Sequence, residues 1–187
     1  MKQHAKTTRH GLIDRLNEIA GAAGINEFIV RRVEREALAL RHADPAGASI
    51  VLGAAACLKG DLQTMHSHHR KAISLGGGAY AQFQYAISLG RVGLLAESLA
   101  HAEQGHELDP LYAEGIELVI GAALALGLKS RAKDYAARWA RLHPEKPPYI
   151  TDTEIDALKG EVRPDVAATV EDLLAGHKDL WSALSRQ

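Results

Sequence analysis

Leu58-Lys59-Gly60-Asp61, Leu89-Gly90-Arg91 and Leu126-Gly127-Leu128-Lys129 each lie between two alanine-rich apolar stretches. Their glycines are 30 and 37 residues apart, and Pro110 and Pro144 are 34 apart. A period near 34, with glycine mid-unit and proline at the end, predicts stacked helical hairpins. Working outward from Gly60, the unit Ala46 to Gly77 shows the pattern best. Ile50, Leu52, Leu58 and the alanines between them predict one helix, which Gly60-Asp61 breaks. Leu62, Met65, Ile73 and Leu75 mark a second, which Gly76-Gly77-Gly78 ends. Glycine suits such turns because it takes positive φ without steric cost.

These residues resemble the tetratricopeptide repeat, whose pattern runs Trp-x2-Leu-Gly-x2-Tyr, Ala-x3-Phe, Pro. Leu52-Gly53 matches the Leu-Gly pair, with Ser49 and Ala56 in place of the aromatics, and Ala72 falls on the small residue of the second helix. The next unit, Ala79 to Pro110, has Gln82-Phe83 at the Leu-Gly place and closes on His106-Glu107-Leu108-Asp109-Pro110. The third, Leu111 to Pro144, keeps Gly127, Ala132-x3-Ala136 and Pro144. The resemblance covers about residues 46–145 and implies an all-α fold, a right-handed α-solenoid of tandem hairpins. Gly53, Ala72, Gly121 and Ala132 are expected to let helix backbones approach closely.

Composition agrees. Hydrophobic residues make up 47% but aromatics only 5%, so the core must be Ala, Leu, Ile and Val, which favours close-packed helices over a sheet sandwich. With 22 Lys+Arg against 23 Asp+Glu, no global field points to nucleic acid or acidic lipid. One cysteine, Cys57, allows no internal disulfide and suits a reducing compartment. The polar N-terminus lacks a secretory pattern, and the longest apolar stretch, Leu118 to Leu126, is too short to span a bilayer. The expectation is a soluble, cytoplasmic protein.

Residues 1–45 read as a further helix pair, with Leu12, Leu16 and Ile19 on one helix and Phe28, Ile29, Val33 and Leu38 on the next. Asn26 is placed to cap the second helix, and Asp44-Pro45 to end it. A capping hairpin for the stack is one reading. The other is a helix-turn-helix at about 12–41, which Ile19 to Asn26 resembles, with Gly24 at the turn and Arg31, Arg32 and Arg35 meeting DNA. Glu27, Glu34 and Glu36 on the same helix, and a net charge of only +2 over residues 1–45, count against nucleic acid. Residues 146–187 are expected to form capping helices: a short one at Asp152 to Lys159, then a longer one opened by Pro164. The apolar stripe from Val166 to Leu184 would cover the open end, fill the groove, or form a homodimer contact.

Few residues suggest chemistry. His66 and His69 share a helix face but lack a third ligand at metal spacing, so a solvated face is expected. Cys57 reads as a buried thiol, Gly76-Gly77-Gly78 is followed by no Lys-Ser or Lys-Thr, and no nucleophile elbow or zinc motif occurs. No enzyme, metal or cofactor is expected.

In the repeat family the first helix of each unit lines a concave groove. By register, that groove holds Ile50, Ala54, Cys57 and Leu58; Tyr80, Gln84, Ile87 and Ser88; and Glu117, Gly121, Leu124 and Ala125. The Lys, Asn and Arg of carboxylate-clamping members are missing there. The resemblance therefore implies an adaptor, regulator or small chaperone, binding an apolar or helical segment of a protein partner, with Tyr80 and Glu117 orienting it.

Overall fold

A computed structural model describes residues 8–21 and 25–158. All the regular structure among them is helical: α1 (Arg9–Ala20), α2 (Glu27–Leu40), α3 (Pro45–Leu58), α4 (Leu62–Ser74), α5 (Gly78–Arg91), α6 (Leu95–Leu108), α7 (Ala113–Ala125), α8 (Lys129–Leu142) and α9 (Asp152–Ala157). The protein is all-α, built of tandem helical hairpins. The predicted long helix after Pro164, with its Val166 to Leu184 stripe, lies outside the described residues.

Two compact units divide the chain, residues 1–88 and 89–187. In the first, α1 packs against α2 and α3, α2 against α3, and α3 against α4. One core joins them: Leu12, Ile13, Leu16 and Ile19 from α1; Val30, Val33 and Ala37 from α2; Ile50, Val51, Ala54 and Ala55 from α3; and Ala72 from α4. The N-terminal pair thus shares its apolar stripe with the hairpin that follows. In the second unit α7 packs against α6 and α8, and α9 against α8. Ile155 is the buried anchor of α9, whose first turn is closed by a capping box of Thr151 and Glu154.

The helix ends follow local chemistry. Asn26 Oδ1 accepts from the backbone N–H of Phe28 and Ile29, as expected. Asp44-Pro45 has a different role from the expected one. α2 ends at Leu40, Asp44 caps α3 by accepting from Gly47 N–H at 2.8 Å, and Pro45 takes the first helical turn.

The punctuation also differs at one point. Gly60 and Gly127 carry the expected positive φ, 73° and 72°, but Gly90 lies inside α5 and the turn belongs to Gly93, φ 81°. At all three turns the residue after the glycine donates to a carbonyl five residues back: Asp61 to Ala56, Leu94 to Leu89, Leu128 to Ala123. This Schellman closure needs a left-handed residue, hence glycine. The turns are 33 and 34 residues apart, more regular than the spacing through Gly90.

Candidate functional site

The register positions of the first unit are mostly covered by the chain itself. Ile50, Ala54 and Cys57 on α3 and Ser88 on α5 are buried, while Leu58, Tyr80, Gln84 and Ile87 are half-buried. Ile50 and Ala54 lie in the core shared with α1 and α2, and the start of α1 lies against the start of α3. Arg9 runs so close over Gly47 that a Cβ there would stand 2.9 Å from Arg9 Cδ. Its guanidinium pairs with Asp44 at 3.5 Å and lies 5.3 Å from the centre of the Tyr80 ring. His10 adds a ring contact to Tyr80 at 4.6 Å. The N-terminal helix therefore straps α3 and reaches α5, a connection that sequence spacing does not reveal.

The register positions of the second unit are more exposed. Ile116, Val119, Ile120 and Ala123 bury one face of α7. Glu117 and Leu124 on the other face are half-buried, and Gly121 and Ala125 are exposed. Gly121 was expected to admit a close-packed neighbour. Among the described residues nothing lies within 4 Å of where its Cβ would be. Gly53 does meet a neighbour, since a Cβ there would stand 2.8 Å from the His69 ring. Ala72 and Ala132 are fully buried.

His69 is not on the solvated face expected of it. It is fully buried, its Nε2 lies 2.9 Å from Ser88 Oγ, and its ring stacks on Tyr85 with centroids 4.9 Å apart. Burial, with His68 and His66 adding, pushes its pKa down from 6.5 to about 3, so the ring is neutral at ordinary pH. His66 Nδ1 lies 2.6 Å from the Tyr85 hydroxyl, and Cys57 Sγ donates to the Ser88 carbonyl at 3.5 Å. The cluster joins α3 and α4 to α5, with His66 half-buried and its other members buried. No group of three or more His, Cys, Asp and Glu among the described residues is arranged to hold a metal ion.

The second unit has a polar core of its own. Arg131 Nε pairs with the buried carboxylate of Glu103 at 2.9 Å, and the same carboxylate bonds to Tyr135. Burial, and then Glu103, push the Tyr135 phenol up. Tyr135 also meets His106 edge-on and lies beneath Arg138, whose guanidinium is 4.7 Å from the ring centre.

On α2 the three arginines of the helix-turn-helix reading are exposed. Arg31 pairs with Glu27 at 3.1 Å and Arg32 with Glu36 at 3.1 Å, each one turn away on the same helix. Arg15 of α1 also reaches Glu36, at 2.6 Å, and this bond leads in holding the carboxyl below its usual range. Gly24, assigned to that motif's turn, lies outside the described residues. Beside α2 is a cleft of about 340 Å³, lined by Ile25, Glu27, Arg31, Glu34, Leu58 and Lys59. The repeat register touches it only through Leu58, because it forms between α2 and the far end of α3.

Compared with known proteins, the sequence matches no family model, and no curated protein is significantly similar to it. No helix among the described residues is long and apolar enough to cross a membrane.

Proposed function

We propose that the chain is a non-enzymatic interaction module of the tetratricopeptide-repeat kind, an adaptor, regulator or small chaperone of the cytoplasm that binds an apolar or helical segment of another protein. The observation that supports this reading is Gly121. A glycine in the middle of a helix costs about 0.5–1 kcal/mol relative to alanine, and close packing is the usual compensation. Among the described residues nothing lies within 4 Å of where a Gly121 Cβ would stand. A backbone kept bare on an uncovered face suits a partner that approaches it closely, with Leu124 and Ala125 as apolar contacts and Glu117 at the edge.

The reading yields a paired outcome. Gly121→Ala should raise stability by about 0.5–1 kcal/mol while weakening capture of the native partner. Gly121→Arg should abolish capture with the unfolding midpoint undiminished. Affinity capture from the native host, read by mass spectrometry beside urea titration, checks both, and undiminished capture by Gly121→Arg would overturn the proposal. Ile50→Asp is unsuitable as a groove probe, because Ile50 is fully buried and the variant should unfold.

DNA contact through Arg31, Arg32 and Arg35 is the competing reading, favoured by their exposure on one helix. The ion pairs of Arg31 and Arg32 with glutamates one turn away weaken it. Salt-dependent binding to duplex DNA that is lost in an Arg31→Ala, Arg32→Ala double variant would support it.

A further inference from the structure

The outer face of α2 has a composition that the fold does not use. Phe28 at its start is 71% exposed, Leu38 near its end 47%, and Ile25, just before the helix, 49%. Phe28 and Leu38 are ten residues apart, about 15 Å along the axis. Between them the outward side chains are Arg31, Arg32 and Arg35.

The glutamates of α2 cancel this charge only in part. Glu34 is drawn to Lys59 at the end of α3, and Glu36 is shared by Arg15 of α1 and Arg32. Glu27 pairs only with Arg31, and both side chains are more than 70% exposed, so water screens that pair and a competing carboxylate can displace it. Arg35 makes no ion pair among the described residues. The result is a basic centre between two apolar ends, with the 340 Å³ cleft opening alongside at Ile25 and Leu58.

We infer that the outer face of α2 is a docking surface for an acidic amphipathic helix of another protein. One apolar side chain of that helix enters the cleft against Ile25 and Leu58 and covers Phe28. A second, about three turns on, covers Leu38. Carboxylates between them meet Arg31 and Arg35, which gives the complex its charge selectivity and salt dependence. The occupant is acidic because Arg35 makes no ion pair among the described residues and the exposed Arg31–Glu27 pair is open to a competing carboxylate, while Glu34 and Glu36 are held by Lys59 and Arg15. The surface is separate from the α7 face and stands or falls independently of it.

The test uses the full chain and three labelled synthetic helical peptides, read by fluorescence anisotropy. The first has two leucines about eleven residues apart with glutamates between them, which spans three turns. The second has lysine for each glutamate, and the third alanine for each leucine. The first alone should bind, with affinity falling as salt rises. Phe28→Ala and Arg35→Glu should each weaken it about tenfold or more. Both positions are exposed, so the variants should fold, and circular dichroism checks that they do. Equal binding of the first two peptides, no binding of any, or an unaffected Phe28→Ala variant would overturn the inference. Two other occupants would also overturn it. Duplex DNA binding that needs Arg31 and Arg35 but ignores Phe28 would assign the face to nucleic acid. Self-association lost in Phe28→Ala, seen by sedimentation, would assign it to a second copy of the chain.

Discussion

A methyl group added to Gly53 would lie 2.8 Å from the His69 ring, inside any real carbon contact, and that ring is held by Ser88 on one side and Tyr85 on another. Gly53→Ala should therefore cost about 1–3 kcal/mol, the overpacking range, despite alanine's better helix propensity. Urea unfolding measures it, and a stabilised variant would show that the ring can move. The same histidine sets a pH dependence. Its pKa is about 3 in the folded protein and 6.5 when unperturbed, so the unfolded chain takes up the proton first as pH falls. Its contribution to stability is complete above pH 6.5 and is lost as pH drops from there toward 3. His69→Phe should make the fall of the urea midpoint across this window shallower. Equal slopes in the two proteins would place the acid sensitivity elsewhere. The burial of His69 was not legible in sequence, where three histidines in four residues read as a wet surface. The signal was Gly53, whose missing side chain leaves the space that the ring occupies.

At the scale of the element, the α3–α4, α5–α6 and α7–α8 turns use one device, a left-handed glycine followed by an N–H that reaches back five residues. Gly93→Ala forces a Cβ into left-handed backbone, which costs about 1–2 kcal/mol. Gly90→Ala keeps helical backbone and brings its Cβ only to 3.3 Å from Ser98 Oγ, so it should cost less. Comparing the two thermal midpoints checks the assignment, and a larger loss at Gly90 would contradict it. The helices themselves were readable from apolar spacing and breakers, and so was the cap at Asn26. Gly90 misled because Leu89-Gly90 mimics Leu126-Gly127, and only the hydrogen bond from Leu94 to Leu89 shows which glycine turns the chain. Asp44-Pro45 was ambiguous for a similar reason. Asp followed by Pro both terminates a helix and opens one, and the bond to Gly47 decides it.

For the whole molecule, the repeat register named candidate groove residues on three helices, and the units treat them differently. On α3 they serve the fold, with Ile50 and Ala54 in the shared core and Cys57 buried against Ser88, while Arg9 ties Asp44 to Tyr80. On α7 Gly121 and Ala125 are exposed, with nothing among the described residues near Gly121. Register predicts which way a side chain points within its hairpin. It cannot predict that Arg9, some forty residues earlier, will lie against the start of α3. The arginines of the α2 face were legible as a charged stripe, but the exposure of Phe28 and Leu38 beside them, and the partner of each glutamate, were not.

The contact between Gly53 and His69 also constrains how this protein can change over generations. Substitutions at the two positions are not interchangeable in order. A smaller residue at 69 comes first, and only then does a side chain at 53 become tolerable. A lineage that begins with position 53 passes through a destabilised ancestor, so descendants of this sequence should carry a side chain at 53 only where His69 has already been replaced by a smaller residue.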